Sequence, residues 1–305
     1  MSITSPALKR TRGDVPFALL NYAGFLLFAL LCAYPFYFLI INSVSANDMS
    51  ALGQVRLWPE GFHLSNYTQI LQLDGLSAAA IVSVARTLIG TACTVLASAF
   101  LGFMFTQERM WKRSLWYRLV IFTMYFSAGL IPMYVTMKTL GLTNSFWVYI
   151  LPAIVQPFNI ILVKTYVESM PASLQEAAEI DGAGTLRVFF RIILPNMTPI
   201  LATVAIFTAV AQWNSFQDTL LYITDQKLYS LQYLLYTYTN QASSLAQAAQ
   251  NAQGNLGALA TAATTQTPTS IRMTVAVLVV LPILFIYPLF QRYFVKGIML
   301  GAVKG

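Results

Sequence analysis

Residues 176–195, EAAEIDGAGTLRVFFRIILP, lie between two long apolar stretches and predict two short helices joined by a glycine turn. Pro171 suits the first turn of a helix, and Ser173-x-x-Glu176 predicts a capping box in which both side chains bind free backbone N–H groups. The glycines of Gly182-Ala183-Gly184 permit the left-handed conformation that ends a helix. A second helix is therefore predicted from Thr185.

The two predicted helices present different faces. In the first helix, four residues share one face at helical spacing: Leu174, Ala177, Ala178 and Asp181. The two alanines on this face are small and let a partner surface approach closely. The second carries an apolar stripe of Leu186, Phe189, Phe190, Ile193 and Leu194, with Arg187 and Arg191 on the opposite face. The stripe is predicted to lie against the rest of the protein, and the alanine-rich helix is predicted to project outward.

The composition around this loop is that of an integral membrane protein. Hydrophobic residues make up 57% and charged residues 10% of the 305-residue chain, whereas soluble domains carry roughly 25% charged residues. The mean hydropathy is +0.63. Crossing the bilayer takes about 20 mostly apolar residues. Six such segments are predicted, the fifth of them interrupted by the polar run QWNSFQD: 17–41, 78–105, 119–137, 146–166, 199–223 and 273–294.

The basic residues predict the orientation of these segments. With the N-terminus in the cytoplasm, twelve Lys and Arg residues fall in inner segments and four in outer ones, as the positive-inside rule requires. The net charge of +7 is then this orientation signal, and no nucleic-acid partner is needed to explain it. The prediction is an all-α fold with both termini inside. Its inner parts are residues 1–16, the loop 168–198 and the tail 295–305, and residues 224–270 form an outer loop.

The loop also carries a pattern with fixed spacing: Glu176-Ala177-Ala178, then Gly182, then Ile192-x-Leu194-Pro195. It resembles the EAA signature of binding-protein-dependent ABC importer permeases, of the maltose-transporter-like carbohydrate family. In that family the projecting helix, called the coupling helix, docks on the ATPase, which implicates Glu176, Ala177, Ala178 and Gly182, with Asp181 as a neighbour. From spacing alone, an ordinary amphipathic loop with Glu176 as a helix cap fits equally well.

The resemblance implies the partners of the chain. They are a second homologous permease, an ABC ATPase dimer, an extracytoplasmic solute-binding protein, a saccharide and membrane lipid. The chain would be a non-catalytic, multi-pass subunit in a bacterial cytoplasmic (inner) membrane. It would hold no cofactor itself, because ATP and Mg²⁺ would bind to the ATPase. In agreement, the sequence contains no glycine-rich phosphate loop.

Three further segments resemble carbohydrate permeases. They are Asp181-Gly182-Ala183, Gln212-Trp213-Asn214-x-Phe216 and the closing FVKGIMLGAVKG of residues 294–305. Residues 129–152, GLIPMYVTMKTLGLTNSFWVYILP, resemble the subgroup associated with oligosaccharides and polysaccharide fragments. The implied function is half of the pathway of an ATP-driven saccharide importer, working by alternating access. A permease for a non-sugar solute is the alternative.

Polar residues inside the predicted spans are candidates for the substrate path. Gln212, Trp213 and Asn214 lie about 20 Å along the fifth span from Pro199, where lipid offers no hydrogen-bond partner. Amides suit sugar hydroxyls, and an indole suits the apolar face of a pyranose; hydrogen bonding between helices is the alternative. Weaker candidates of the same type are Gln156, Asn159 and Tyr125. Asp218 either faces a wetted cavity or pairs with another chain, and Arg86 either snorkels or pairs.

Other functional classes are less well supported by the sequence. A secondary transporter commonly shows an inverted repeat and intramembrane charges, and only Arg86 and Asp218 suit such charges. A polysaccharide-cleaving enzyme requires paired carboxylates, which the outer acidic residues do not provide at a suitable spacing. Cys32 and Cys93 both fall in predicted spans, and the lone His63 has no companion at metal-ligand spacing, so no metal site is predicted.

Overall fold

The computed structural model describes residues 14–72, 75–251 and 267–297. Every regular element in these ranges is helical. In chain order the α-helices are α1 (Asp14–Ser43), α2 (Asn47–Ala51), α3 (Ser65–Leu71), α4 (Leu76–Met104), α5 (Arg113–Tyr125), α6 (Leu130–Thr139), α7 (Pro157–Glu168), α8 (Ser173–Ile180), α9 (Thr185–Val188), α10 (Leu194–Asn196), α11 (Thr198–Asn214), α12 (Gln217–Tyr222), α13 (Leu231–Asn251) and α14 (Pro268–Gly297). Residues 1–13, 252–266 and 298–305, which include most of the predicted inner N-terminal segment and tail, lie outside the described ranges.

Helix α4 is the central element of the described fold. It packs against α11, α7 and α13, while α14 packs against α13, α1 and α11. The apolar core around α4 has three parts. One of them joins Phe103 of α4 to Val163 of α7, Ala178 of α8 and Phe189 near α9. The short helix α8 is therefore attached directly to one end of the bundle.

Two of the described helices are long and apolar enough to cross a membrane as single rods, and they contain residues 16–43 and 76–104. Three pairs of helices that are bent at a short break could each form one further span. The apolar helix Thr269–Phe285, within the sixth predicted segment, is shorter. The described residues thus support two to five spans by length and composition, and six stays a prediction.

The third, fourth and fifth predicted spans are not single continuous helices. The third breaks between Tyr125 and Leu130 with a bend of 119°. The fourth starts as two 3₁₀ turns within Phe146–Ala153 and bends by 46° before Pro157. Proline explains this bend, because it lacks the N–H that would continue the helix. The fifth ends at Asn214, and α12 follows as a separate helix.

Helix α13 occupies much of the predicted outer loop. It runs from Leu231 to Asn251 and so includes residues 240–251, NQASSLAQAAQN, an uncharged stretch rich in Gln and Ala. Leu231, Leu234 and Leu235 pack against α4 and α14 in the second part of the core. An apolar stripe at helical spacing therefore holds this part of the loop against the bundle.

Candidate functional sites

The predicted inner loop of residues 168–198, called the α8 loop below, has the two-helix form that its sequence predicts. It lacks the predicted helix cap. Residue Ala172 precedes α8 with helical dihedral angles, and no side chain caps the helix. The predicted capping box between Ser173 and Glu176 is therefore wrong, because the chain already has a helical conformation before Ser173. The side chain of Glu176 is exposed on the first turn of α8 and takes no part in a cap.

The glycine turn that follows α8 is confirmed. Gly182 has a φ of +77°, and no atom lies within 4 Å of the position that a Cβ would take there. Its N–H donates to the Glu179 carbonyl at 3.0 Å, and the Ala183 N–H donates to the Ala178 carbonyl at 2.9 Å. These two bonds form a Schellman motif. Glycine is needed at this position for its backbone conformation rather than for space.

The alanines of the EAA sequence point in opposite directions. Ala177 is exposed, as are Glu176 and Asp181. Ala178 is only 7% exposed and belongs to the inner core cluster with Phe103 and Val167. The prediction that both alanines face outward is thus wrong for Ala178, because its methyl group is the part of α8 that packs on the bundle.

The second helix of the loop departs from its predicted stripe. A π-helical turn occupies Phe189–Ile193 and shifts the side chains relative to an ideal α-helix. Phe189 and Ile193 are buried as predicted, whereas Leu186 and Phe190 are exposed and Val188 is buried instead. The large apolar side chains that are exposed on the loop are Leu174, Ile180, Leu186 and Phe190. The α8 loop therefore offers a mixed apolar and acidic surface.

A cavity of about 450 Å³ lies among the fourth, fifth and second predicted spans. Its polar lining includes side chains from several elements: Arg86, Gln156, Asn159, Thr208, Gln212 and Asp218. Aromatic rings supply much of the rest: Tyr149, Phe158, Phe207 and Tyr222. The structure thus brings together four of the seven predicted path residues, namely Gln156, Asn159, Gln212 and Asp218.

Arg86 is the residue that organises this cavity, and the sequence left its role open. Its side chain is 2% exposed and forms an ion pair with Asp218, whose side chain is 20% exposed. Nε and Nη2 donate to Gln212 Oε1 at 3.2 and 3.0 Å, and Nη1 donates to the Ser215 carbonyl at 3.3 Å. Nη1 and Nη2 also donate to the two oxygens of Asp218. The guanidinium carbon lies 4.3 Å from the centre of the Tyr149 ring.

All five N–H donors of Arg86 are therefore used within the chain. Such bonding offsets the cost of a buried cation, which is high when the charge is unpaired. Of the two open alternatives for Arg86, pairing is confirmed, and Asp218 is paired within this chain. The sequence feature that could have indicated this ion pair is the presence of one cation and one anion in two different predicted spans.

The remaining cavity amides are also bonded. Gln212 is buried, and its Nε2 donates to the Tyr149 carbonyl at 3.1 Å. Buried Asn159 donates to Thr208 Oγ1 at 3.4 Å. Gln156 is exposed and donates to the Ala153 carbonyl at 3.3 Å. Both Asn159 and Gln156 keep an amide oxygen for which the structure gives no partner, so each can still accept a hydrogen bond in the cavity.

The other three predicted path residues lie elsewhere. Trp213 Nε1 donates to the Val279 carbonyl at 2.9 Å, so its indole joins α11 to α14. Asn214 is exposed and accepts from Gln232 Nε2 at 3.1 Å. Tyr125 is 84% exposed at the end of α5. None of the three lines the described cavity, and a role for them in transport stays a prediction.

The titratable groups outside the predicted spans include Tyr229, which follows a short 3₁₀ turn. Burial, together with nearby Tyr233, raises the pKa of the Tyr229 phenol above its ordinary value. Since that ordinary value is already near 10, the phenol stays neutral at physiological pH. Across the described ranges, no three His, Cys, Asp or Glu side chains gather as metal ligands.

A helical fold with apolar spans, a polar cavity among them and an exposed two-helix loop at one end fits a transport permease. The chain belongs to the family of binding-protein-dependent transport system inner membrane components, whose profile matches residues 95–300. Members of this family are non-catalytic transport subunits.

Several characterised proteins are similar over nearly their whole length. The polygalacturonan/rhamnogalacturonan transport system permease protein YtcP of Bacillus subtilis (strain 168) is 35% identical, over 95% of this chain and 98% of its own. Protein LplC of the same organism is 34% identical over 89% of both chains. A solved bacterial ABC transporter involved in the import of the acidic polysaccharide alginate contains a chain with a TM-score of 0.82 and 25% identity. That match covers 95% of this chain and 100% of the other.

Proposed function

We propose that this chain is the permease subunit of an ATP-driven saccharide importer, forms half of its translocation path and works by alternating access. The observation that carries the proposal is the combination of the α8 loop with a cavity of sugar-binding character in a member of this family. Relatives named for polygalacturonan, arabinooligosaccharides and alginate support an oligosaccharide as the solute. A non-sugar solute is the alternative that this combination does not favour.

The cavity suits a sugar by its chemistry. Its volume of about 450 Å³ falls in the range of roughly 300–1,000 Å³ typical of ligand pockets. The free amide oxygens of Gln156 and Asn159 accept from hydroxyl groups, and the partly exposed carboxylate of Asp218 does the same. The rings of Tyr222 and Phe158 provide apolar faces for the C–H side of a pyranose. Each of these groups is uncharged or paired, as a membrane-embedded path requires.

The α8 loop suits contact with an ATPase. Glu176, Ala177 and Asp181 are exposed on α8, and exposed Ile180 adds an apolar anchor beside them. Gly182 fixes the sharp turn that keeps α8 projecting, and buried Ala178 attaches the helix to the bundle. ATP and Mg²⁺ bind to the partner ATPase in this proposal. Closure of the ATPase dimer then displaces α8 and reorients the cavity.

The proposed assembly contains a second homologous permease, an ATPase dimer and an extracytoplasmic solute-binding protein. It lies in the cytoplasmic membrane of a bacterium, with six spans and both termini inside. The excess of basic residues in the predicted inner segments supports this orientation, and the family description of an inner membrane component supports the location. Trp213, Asn214 and Tyr125 are proposed as secondary path residues, which act where the second permease completes the path.

Affinity purification of the tagged chain in mild detergent tests the assembly. The wild type should bring down a second permease and an ATPase, and Glu176→Lys/Gly182→Asp should lose the ATPase. Glu60→Lys, at an exposed site on the outer side, is the matched control and should keep it. A wild type that purifies without an ATPase refutes the proposal.

Uptake by the purified complex in proteoliposomes tests the solute. Saccharide bound to its solute-binding protein should stimulate ATP hydrolysis and accumulate inside the vesicles. Peptides and amino acids serve as the comparison solutes. Stimulation by one of these and by no saccharide selects the non-sugar alternative.

A further inference from the structure

Two glutamine side chains join α8 to the inner end of α4. Gln107 follows α4 after a short turn and is 8% exposed, while Gln175 lies on the first turn of α8. Gln175 Nε2 donates to Gln107 Oε1 at 2.9 Å, and Gln107 Nε2 donates to Gln175 Oε1 at 3.2 Å. The two amides therefore form a reciprocal pair that fixes both the distance and the orientation of α8 relative to α4.

Neighbouring contacts orient this pair on both sides. Gln175 Nε2 also donates to Glu179 Oε1 at 3.0 Å, one turn along α8. Arg109 donates to Glu179 Oε2 at 3.1 Å, but the Arg109 side chain is largely exposed and such pairs contribute little. Gln107 Nε2 is also within 3.3 Å of Thr106 Oγ1. The amide pair is thus the directional part of the connection, and the ion pair assists it.

Apolar packing alone does not fix how α8 sits on α4. Ala178 contributes one methyl group to the core cluster that contains Phe103 and Ala99 of α4. A methyl group slides over an aromatic ring with little change in contact, because dispersion attraction has no preferred direction. The two hydrogen bonds of the amide pair do have a preferred direction, because each donor points at a defined acceptor. The amide pair is therefore the contact between α8 and the end of α4 that has a preferred direction.

Helix α4 leads from this pair to the cavity. Arg86 lies on the same helix, and the 18 residues from Arg86 to the end of α4 at Met104 correspond to about 27 Å of helix. At the cavity, Arg86 bonds to Gln212 of α11 and Asp218 of α12. One rigid element therefore contacts the α8 loop at one end and the cavity at the other.

We propose that Gln107 and Gln175 are positioning residues that make α4 follow α8, so that a displacement of α8 reaches Arg86 and the cavity. The inference rests on the proposed function, since it assumes that an ATPase moves α8. Such coupling requires a physically connected element between the two sites, and α4 with its amide pair is one. Loss of the pair should leave ATPase binding intact and weaken the link between hydrolysis and transport.

The test uses the purified complex in proteoliposomes, with Gln107→Leu, Gln175→Leu and the double variant. Leucine is similar in size but cannot form the amide hydrogen bonds. Each single variant should retain the ATPase and lower the solute transported per ATP hydrolysed by about fivefold or more, because each variant removes both hydrogen bonds of the pair and one net hydrogen bond alone represents about that factor. The double variant should be no worse than either single variant, since both remove the same contact. Gln72→Leu, at an exposed outer site, should match the wild type.

Two results would overturn the inference: single variants that keep the wild-type ratio, or effects that add in the double variant. If Gln107→Leu fails to assemble, Gln175→Leu decides the question, because Gln175 lies nearer the surface. A merely structural role would lower the thermal midpoint and ATPase recovery without changing the ratio in the complexes that remain. Failure of the proposed function is distinct, since the wild type would then purify without an ATPase, and the inference would fall with it.

Discussion

Removal of the Asp218 carboxylate is expected to destabilise the chain strongly. Arg86 is 2% exposed, and two of its five hydrogen bonds go to Asp218, so Asp218→Ala leaves a buried cation without its anion. Breaking a buried pair in this way costs about 3–5 kcal/mol. The lower half of that range applies here, because Asp218 is 20% exposed and Arg86 keeps its bonds to Gln212 and Ser215. For a chain of 305 residues, the corresponding fall in thermal midpoint is roughly 5–6 °C.

The assay is thermal unfolding of the purified chain in detergent, followed by tryptophan fluorescence. Asp218→Ala is compared with Arg86→Met and with the double variant Arg86→Met/Asp218→Ala. The double variant should unfold at a higher temperature than Asp218→Ala alone, because it no longer contains the unpaired cation. Asp48→Ala, the same substitution at an exposed site, should stay within about 1–2 °C of the wild type.

A midpoint for Asp218→Ala equal to that of the wild type would refute the reasoning. It would mean that cavity water solvates Arg86 as well as the carboxylate does. A double variant less stable than either single variant would be equally damaging, since it would show that the two side chains stabilise the fold independently.

Three other substitutions test particular contacts. Gly90→Ala should cost about 1–3 kcal/mol and lower transport, because its Cβ would lie 2.8 Å from Nε2 of Gln212 and displace that amide from the cavity wall. Gly182→Ala should cost about 1–2 kcal/mol, since its φ of +77° is strained for a residue with a Cβ; the thermal midpoint measures this. Trp213→Phe should cost about 1 kcal/mol through loss of the hydrogen bond to Val279, again measured as a lower midpoint.

Matched positions serve as controls for the Gly90 and Trp213 substitutions. Gly24→Ala has no atom within 4 Å of the new Cβ and should be harmless in the helix α1. Trp111→Phe changes an exposed indole and should leave the midpoint unchanged. Effects at Gly24 or Trp111 as large as those at Gly90 or Trp213 would contradict the contact-based explanation.

Much of the architecture could be predicted from local patterns. The apolar segments, the glycine turn at Gly182 and the two short helices around it follow from composition and spacing within a few residues of each other. The bends within the spans were harder to predict from the sequence. The break between Tyr125 and Leu130 contains Gly129 at a φ of +86°, but a glycine inside an apolar stretch does not by itself predict a bend. Composition specifies that a segment prefers lipid, but not that its backbone is continuous.

The candidate sites were predictable only in part. Gln212 and Asn159 were identified as polar residues in apolar surroundings, and both line the cavity. Trp213 was chosen by the same reasoning, yet it bonds to α14. A helix rotates by about 100° per residue, so adjacent residues face different neighbours. The neighbour that each side chain contacts depends on how the helices pack, and the local sequence does not specify this packing.

The sequence by itself determined the class of protein through its resemblance to a known family. It also determined the approximate positions of the apolar segments and the glycine turn that ends α8, since these depend on short-range chemistry. Only the tertiary structure decided that Arg86 pairs with Asp218, 132 residues away, that Gln107 pairs with Gln175, and that Ala178 faces inward. A charged or amide side chain in a span must have a hydrogen-bond partner, but the sequence contains several possible partners for each and does not indicate which one it meets. Helix packing selects one of them, because it alone sets which side chains come within hydrogen-bonding distance.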